Sequence, residues 1–280
     1  MKKYLFVLLL VLAPAFVIAA ESGYPLDKAP YRANDIAALQ NGAKLFVNYC
    51  LNCHSASLMR YNRLKDIGLT DEQIKSNLLF SADKVGETMK VAMTAADGKQ
   101  WFGAPPPDLS VITRAKSSGA GSGADYVYTY LRSYYRDASR PTGWNNLVLQ
   151  NSAMPHVFWE KQGPRELVTT LVHEHEQEGK PKTWEKVITR YDSNGIALVK
   201  KEALTGANLH SSFSAEFTSL DKLADAQYQK EVADLVGFLS YVSDPTANIR
   251  KRLGVWVLFF LAIFGVCAWW LNSVYWREVK

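Results

Sequence analysis

Two cysteines and a histidine stand together near the N-terminal end of the chain, as Cys50-Leu51-Asn52-Cys53-His54. Two thiols separated by two residues can each bond to one of the two vinyl groups on an edge of a porphyrin, and the imidazole that follows then lies beneath the ring, where it can bind iron. A zinc site would require a second pair of ligands with similar spacing, and the sequence holds none. A thioredoxin-type pair would require a βαβ context, whereas a helical pattern precedes these cysteines. The motif therefore predicts one covalently attached c-type haem, with His54 as an iron ligand.

The iron of such a haem has a second axial position, and Met154 is the strongest candidate for it. Met154 precedes Pro155, which favours an extended loop that can cross the opposite face of a haem. A thioether ligand also raises the reduction potential relative to a second imidazole. His156 is the next candidate and would give bis-histidine ligation at a lower potential. The other candidates are Met59, Met89, Met93, His173, His175 and His210. The residues alone leave open whether Met154 binds iron or packs in the core.

The first twenty residues have the composition of an export signal. Lys2 and Lys3 precede an apolar stretch over residues 4–18, and Ala19 and Ala20 offer a cleavage point. This pattern predicts a signal peptide over residues 1–20 and leaves open an uncleaved membrane anchor. In either case the domain that follows leaves the cytoplasm, and c-type haem is attached outside the cytoplasm.

A second apolar run, over residues 253–271, contains no charged residue. At 1.5 Å per residue it would form about 28 Å of helix, close to the thickness of the hydrocarbon core of a bilayer. Tryptophans and tyrosines cluster toward its two ends, where the aromatic belts of membrane proteins lie. The run therefore predicts a transmembrane anchor. The third cysteine, Cys267, lies alone within it, so the cysteines cannot form a disulfide framework.

The charges that flank the anchor bear on its orientation. Arg250, Lys251 and Arg252 precede it, and a count of flanking charges alone would place the large domain in the cytoplasm. The export signal favours the opposite orientation, because long domains cross the membrane largely regardless of such charges. We therefore expect a single-pass protein of the bacterial inner membrane, with a periplasmic haem domain over residues 21–248 and, over residues 249–280, the anchor with a short cytoplasmic tail. A net charge of +5 is too small to favour a nucleic-acid partner.

Hydrophobic periodicity predicts a domain that is mainly α-helical. Gly42 lies within the first predicted helix and would let another helix approach closely. Thr70 and Gln73 predict a capping box at the start of the second helix. The four predicted helices cover residues 35–49, 70–80, 125–136 and 231–242.

The remaining segments are predicted to be loops and one hairpin. Residues 104–107 contain three consecutive prolines, which exclude both a helix and a central strand, so this segment should be rigid and extended. Residues 119–123 are predicted to be a flexible break. Asn194-Gly195 between two apolar stretches is typical of a β-hairpin, here over residues 187–199.

Several ordered segments together resemble the cytochrome c1 family. The shared segments are residues 49–55, Gly103 to Ser110 (GAPPPDLS), residues 113–116, residues 125–130, Pro141-Thr142-Gly143, Ala153-Met154-Pro155, and residues 238–245 leading through 250–252 into the anchor. The resemblance covers most of the chain from about residue 31 and is weakest over residues 160–224. The CxxCH motif alone is generic, but its combination with the proline-rich segment, the distant Met-Pro pair and the C-terminal anchor is specific.

The resemblance implies a class I cytochrome c core with inserted loops and a β-hairpin, followed by one C-terminal transmembrane helix. It also implies that Cys50 and Cys53 hold one haem c covalently and that His54 and Met154 are the axial ligands of its iron.

Three further site residues follow from the resemblance. Arg114 corresponds to an arginine that lies beside a haem propionate, a role that suits the planar fork of a guanidinium. Pro106 and Pro107 correspond to a segment that packs on the haem edge.

The resemblance further implies a role in respiratory electron transfer. A Rieske iron–sulfur protein, reduced by ubiquinol at cytochrome b, would pass one electron to this haem, which would pass it to a cytochrome c. Enzyme activity would then belong to the whole ubiquinol:cytochrome c oxidoreductase, a dimeric complex in the lipid bilayer, and the chain would perform no substrate chemistry of its own. The alternative is a free-standing anchored monohaem cytochrome that feeds a terminal oxidase. The sequence leaves open the reduction potential, the electron acceptor, the docking residues, the site of signal cleavage and the role of residues 160–224.

Overall fold

The computed structural model describes residues 24–91, 93–175, 183–205 and 209–277. The predicted signal peptide over residues 1–20 therefore lies outside the described residues, as do residues 278–280. The α-helices are α1 (Ile36–Leu45), α2 (Asp71–Asn77), α3 (Ala95–Phe102), α4 (Ile112–Ala115), α5 (Gly123–Arg132), α6 (Trp159–Gln162), α7 (Lys222–Ser243) and α8 (Ala247–Tyr275). The strands are β1 (Ala56–Arg60), β2 (Thr88–Met89), β3 (Tyr134–Arg136), β4 (Trp144–Asn146), β5 (Arg165–His175), β6 (Thr183–Tyr191), β7 (Ala197–Leu204) and β8 (Ser212–Ser219). A π-helical turn (Phe46–Cys50) continues α1, and a 3-10 helix (Tyr61–Ile67) follows β1.

The centre of the helical part is the crossing of α1 and α7. A Cβ atom at Gly42 would lie 2.3 Å from the carbonyl oxygen of Asp234, so only glycine lets the two helices approach this closely. Beside the crossing, the rings of Phe46 and Phe238 pack with centroids 5.7 Å apart, and both side chains are fully buried. Both helices and the close approach at Gly42 are confirmed predictions.

Side-chain caps determine where two of the helices begin. Thr70 and Gln73 form the predicted capping box at the start of α2, which is shorter than predicted and ends at Asn77. Asp221 accepts hydrogen bonds from two backbone N–H groups in the first turn of α7. Because of this cap, α7 starts at Lys222, well before the predicted residue 231.

The predicted flexible break over residues 119–123 is instead part of a packed connection between α4 and α5. Ser122 and Asp125 form a capping box that starts α5. A Cβ atom at Gly123 would lie 2.3 Å from the carbonyl oxygen of Thr113, so α5 begins in direct contact with α4. Gly123 therefore permits close packing here.

Residues 165–219 contain a four-stranded antiparallel sheet in the order β7-β6-β5-β8. The predicted hairpin is confirmed as β6 and β7, and Gly195 in its turn has a φ of +88°. The sheet is larger than predicted because β5 also pairs with β8 along most of its length. The described residues thus form a helical core with an attached sheet, rather than a helical domain that carries one hairpin.

The sheet contacts the helical part through its base. Leu167, near the start of β5, is buried in a small cluster with Tyr135 and Leu147. The guanidinium of Arg165 donates to the carbonyl oxygens of Arg132 and Tyr134, at the end of α5 and the start of β3. One end of the sheet is therefore firmly attached, close to the chain segment that follows α5.

Helix α8 contains the predicted anchor and has the length of a membrane span. It has 29 residues, and its apolar window has a mean hydropathy of 2.2 and is not buried against the rest of the protein. The side chain of Asn248, in its first turn, accepts a hydrogen bond from the Tyr31 hydroxyl at 2.7 Å and donates to Asn34 Oδ1 at 2.6 Å. Within the described ranges it is the only helix long and apolar enough to cross a membrane, which fits the predicted anchor.

Candidate haem site

The attachment motif begins at the last residue of the π-helical turn that continues α1. The backbone N–H groups of Cys53 and His54 both donate to the carbonyl oxygen of Cys50, at 3.0 and 2.8 Å, and this closes a tight turn. Both cysteines are free thiols, Cys50 buried and Cys53 half-buried. Burial raises the pKa of the Cys50 thiol to about 12, so its sulfur stays protonated at neutral pH. The S–H form is the one whose sulfur and hydrogen add across a vinyl double bond.

The imidazole of His54 is oriented by the proline-rich segment. Its Nδ1 lies 2.7 Å from the carbonyl oxygen of Pro107, and because a carbonyl can only accept, Nδ1 must carry the proton. The other ring nitrogen, Nε2, is then unprotonated and has a lone pair for a metal ion. Burial lowers the pKa of His54, although the Pro107 contact and the charge of Asp108 oppose this, so the imidazole remains neutral at neutral pH. The neutral imidazole of His54, with its proton on Nδ1, therefore fits the role of an iron ligand.

The proline-rich segment is also joined to β1, just after the motif. The carboxylate of Asp108 accepts hydrogen bonds from the backbone N–H groups of Ser57 at 2.9 Å and Ser110 at 2.8 Å. Burial opposes ionisation, but hydrogen bonds from Ser110 and Ser57 outweigh it and hold the pKa of Asp108 below its ordinary value. The carboxylate thus fixes the position of the segment whose carbonyl orients His54.

Pro106 lies against α3. A Cβ atom at Gly98 in that helix would lie 2.7 Å from Pro106 Cδ, so the helix and the proline are in close contact. A cavity of about 350 Å³ opens beside them, and its lining includes Cys53, Met93 and Pro106. Two of the predicted site residues, Cys53 and Pro106, therefore border one cavity.

Met154 lies in the loop between β4 and α6. It is half-buried and packs against the main hydrophobic core, to which Cys50 also belongs. The hydroxyl of Tyr134 donates to the Met154 carbonyl oxygen at 2.9 Å. The loop that carries the predicted sixth ligand is thereby tied to the start of β3.

Two buried asparagines hold the earlier part of this loop, and sequence reasoning did not find them. Asn146 Oδ1 accepts from the backbone N–H groups of Val148 and Leu149, at 2.9 and 3.1 Å. Asn145 Oδ1 accepts from the N–H of Asn151 at 2.9 Å. No spacing of residue types in the sequence indicates this role, because adjacent asparagines are equally typical of exposed turns.

Arg114 is exposed on the one-turn helix α4. Asp244 lies at the junction of α7 and α8, and the hydrogen bond from Arg250 is the main cause that lowers its pKa. The positive charge of Arg114 lowers the pKa of Asp244 further. The structure thus places Arg114 beside the junction with the anchor, and its predicted pairing with a haem propionate stays a prediction.

The other candidate ligands have different surroundings. The ring of His156 stacks on Tyr134, with centroids 4.7 Å apart and planes at 9°, and meets the edge of Trp144 at 4.7 Å. Burial lowers the pKa of His156 to about 3, so its ring is neutral. A second imidazole ligand would require this ring to leave its aromatic surroundings. Met59 and Met89 are buried in β1 and β2, with 2% and 0% of their surface exposed.

The chain is similar to known proteins over its whole length. The sequence model of the Cytochrome C1 family matches residues 27–279. The chain is 36% identical to cytochrome c1 of Allochromatium vinosum over 280 residues, which cover all of both chains. It is 38% identical over 283 residues, again all of both chains, to a Nitrosomonas europaea protein named ammonia monooxygenase gamma subunit. Cytochrome b/c1 of Bradyrhizobium diazoefficiens is 24% identical over 89% of this chain and 34% of its own length.

The chain belongs to the cytochrome c1 family. Proteins of this family bind a covalently attached haem c and serve as the haem subunit of cytochrome bc1 complexes. Cys50 and Cys53 of this chain lie in a CxxCH motif. The anchor helix α8 fits the membrane location of such complexes.

Proposed function

We propose that the chain accepts one electron from a Rieske iron–sulfur protein and passes it to a cytochrome c, as a subunit of a ubiquinol:cytochrome c oxidoreductase. The observation that carries this proposal is the geometry of His54. Its imidazole follows directly after two free thiols and is oriented by Pro107 with Nε2 available for iron. The domain that holds this group is joined to a helix long and apolar enough to cross a membrane.

Four residues of this chain would bind the haem directly. Cys50 and Cys53 would bind it through two thioethers, and His54 Nε2 and the Met154 sulfur would bind its iron. When bound, the haem takes up and releases one electron at its iron.

Three further residues would position the haem, and none of them would transfer a proton. Arg114 would pair with a propionate through its guanidinium, and Pro106 and Pro107 would pack on the haem edge. The neutral His54 and the buried core would exclude water from the bound haem, and the hydrogen bonds of Asp108 hold the proline-rich segment in place. Catalytic activity belongs to the assembled complex.

The partners follow from the proposed role. The complex contains cytochrome b and the Rieske protein, and it forms a dimer in the bilayer. The Bradyrhizobium relative supports a neighbouring cytochrome b, since its name joins cytochrome b and cytochrome c1 in one polypeptide. The haem domain, residues 21–248, lies in the periplasm of a bacterium, and residues 249–280 anchor it in the inner membrane with the C-terminus in the cytoplasm.

Mild detergent extraction of the full chain, followed by identification of the co-purifying subunits, tests the assembly. We expect cytochrome b and a Rieske protein, together with ubiquinol-dependent reduction of cytochrome c. Recovery of the haem protein alone, or with a terminal oxidase, would contradict the proposal. Co-purification with subunits of an ammonia-oxidising enzyme would do so too, and would assign to this chain the assembly that the name of the Nitrosomonas relative indicates.

Reporter fusions test the orientation. A reporter placed after Lys280 should be active only in the cytoplasm, and one inserted at Gly119, where a Cβ atom would meet no neighbour within 4 Å, only outside it. The reverse pattern would mean that the charges of residues 250–252 had decided the orientation.

A further inference from the structure

Two tyrosines connect the two ends of a three-residue segment that includes the proposed sixth ligand. The hydroxyl oxygen of Tyr134 lies 2.9 Å from the Met154 carbonyl oxygen and 2.7 Å from the hydroxyl oxygen of Tyr130. The hydroxyl oxygen of Tyr130 in turn lies 2.7 Å from Ser152 Oγ. The three contacts therefore link the Met154 carbonyl oxygen, through the two tyrosine hydroxyls, to the side chain of Ser152 in the same loop.

The direction of each hydrogen bond follows from the number of protons. A carbonyl oxygen cannot donate, so the single hydroxyl proton of Tyr134 must point to Met154. Tyr130 must then donate to Tyr134, and since its proton is used there, Ser152 must donate to Tyr130. All three donors are satisfied and all point one way, an arrangement in which each bond strengthens the next.

From this chain of hydrogen bonds we propose that Tyr134 and Tyr130 are positioning residues for the iron ligand: they close the loop Ser152-Ala153-Met154 and hold the Met154 thioether on the iron. This inference rests on the proposed ligand role of Met154. The two tyrosines do not touch the iron, and they act through the loop backbone.

The surroundings of Tyr134 suit this role. Its side chain is 1% exposed, and its ring is fixed by the stacked ring of His156, two residues after the ligand. Tyr126 stacks on Tyr130 with ring centroids 6.1 Å apart and so restricts the second tyrosine as well.

The test uses the full chain in its complex and compares variants that each remove one hydroxyl. Tyr134→Phe keeps the ring and removes the hydroxyl that donates to Met154, so the dissociated form of the thioether should become about fivefold more populated. Carbon monoxide binds ferrous haem only when that ligand has left, so its binding rate should rise by the same factor. The near-infrared band of thioether-bound ferric haem should disappear at a lower temperature. Tyr130→Phe should have a smaller effect and Ser152→Ala the smallest, because their bonds lie further along the chain.

Tyr228→Phe is the matched control. Tyr228 is also 1% exposed, and its hydroxyl donates to a backbone carbonyl, that of Leu131, at 2.6 Å. Its loss should weaken the fold by a similar amount without a direct effect on the loop. We therefore expect Tyr228→Phe to leave both the carbon monoxide binding rate and the near-infrared band unchanged.

Equal effects of Tyr134→Phe and Tyr228→Phe would overturn the proposal, because the tyrosines would then act only on general stability. Loss of the band in Met154→Leu together with an unchanged Tyr134→Phe would overturn it while leaving the ligand assignment intact. Persistence of the band in Met154→Leu would instead contradict the proposed ligand, and with it this inference.

Discussion

In the helical core, side chains from α1, α5 and α7 converge on one large hydrophobic cluster, and the loops around it are fixed by side-chain hydrogen bonds. In the sheet, only the base is covered: Leu167 is 1% exposed, whereas Leu171, four residues further along the same face of β5, is 40% exposed. None of the predicted site residues lies in the sheet. The contrast indicates that the haem site takes its rigidity from the core and that most of the sheet could be removed without changing the site.

The strongest disruption of the core should come from Gly42→Val. Its Cβ atom would lie 2.3 Å from the Asp234 carbonyl oxygen, so the backbones of α1 and α7 would have to separate. We expect a loss of at least about 3 kcal/mol in the free energy of unfolding, and little haem-loaded protein in the membrane. Haem staining after gel electrophoresis of the membranes measures the amount of haem-loaded protein.

Gly119→Val is the control for that substitution. A Cβ atom there meets no neighbour within 4 Å, so haem-loaded protein should accumulate as in the wild type. Equal loss in both variants would show that the crossing of α1 and α7 is not the critical contact.

Shortening the sheet should have a moderate effect on stability and none on the site. Thr170 and Ser214 are direct partners in β5 and β8, so an Asn-Gly turn can join them in place of residues 171–213. The variant loses the contact between Tyr135 and Tyr191, whose ring centroids are 4.8 Å apart. Its free energy of unfolding should therefore fall by about 1 to 2 kcal/mol. Spectra and redox titration of the shortened protein should match the wild type. A shifted potential or lost haem would refute the distinction between core and sheet.

The smallest expected effect comes from Asp108→Asn, at the edge of the site. The folded protein holds the pKa of Asp108 below its ordinary value of 3.8, so this carboxylate stabilises the fold above about pH 4 and loses that effect as pH falls through the folded pKa. Because the side chain is exposed, we expect the variant to lose less than about 1 kcal/mol at pH 7. The difference from the wild type should shrink below pH 4 in urea titrations. A difference that grows toward low pH would contradict the assigned hydrogen bonds.

Local patterns in the sequence predicted the parts of the molecule that depend on neighbouring residues. The CxxCH motif lies within five residues, Gly42 lies on a helix face, and Asn194-Gly195 defines one turn. The sheet is larger than the predicted hairpin because β5 also pairs with β8. The sequence of either strand alone does not indicate which distant strand it will pair with. The supports of the ligand loop were missed for the same reason, since Tyr130 and Ser152 come together only in the folded chain.

The proposed electron transfer depends most on Met154 as the second iron ligand, and the near-infrared spectrum of oxidised Met154→Leu tests this role most directly. Leucine nearly preserves the side-chain volume, so the fold should lose less than about 1.5 kcal/mol and the haem should stay attached. We expect the thioether band to vanish and the reduction potential to fall, while Met93→Leu, which changes a methionine in the cavity beside Cys53, keeps both. A band that persists in Met154→Leu would contradict the assignment, and its loss in Met93→Leu would assign the ligand to Met93 instead.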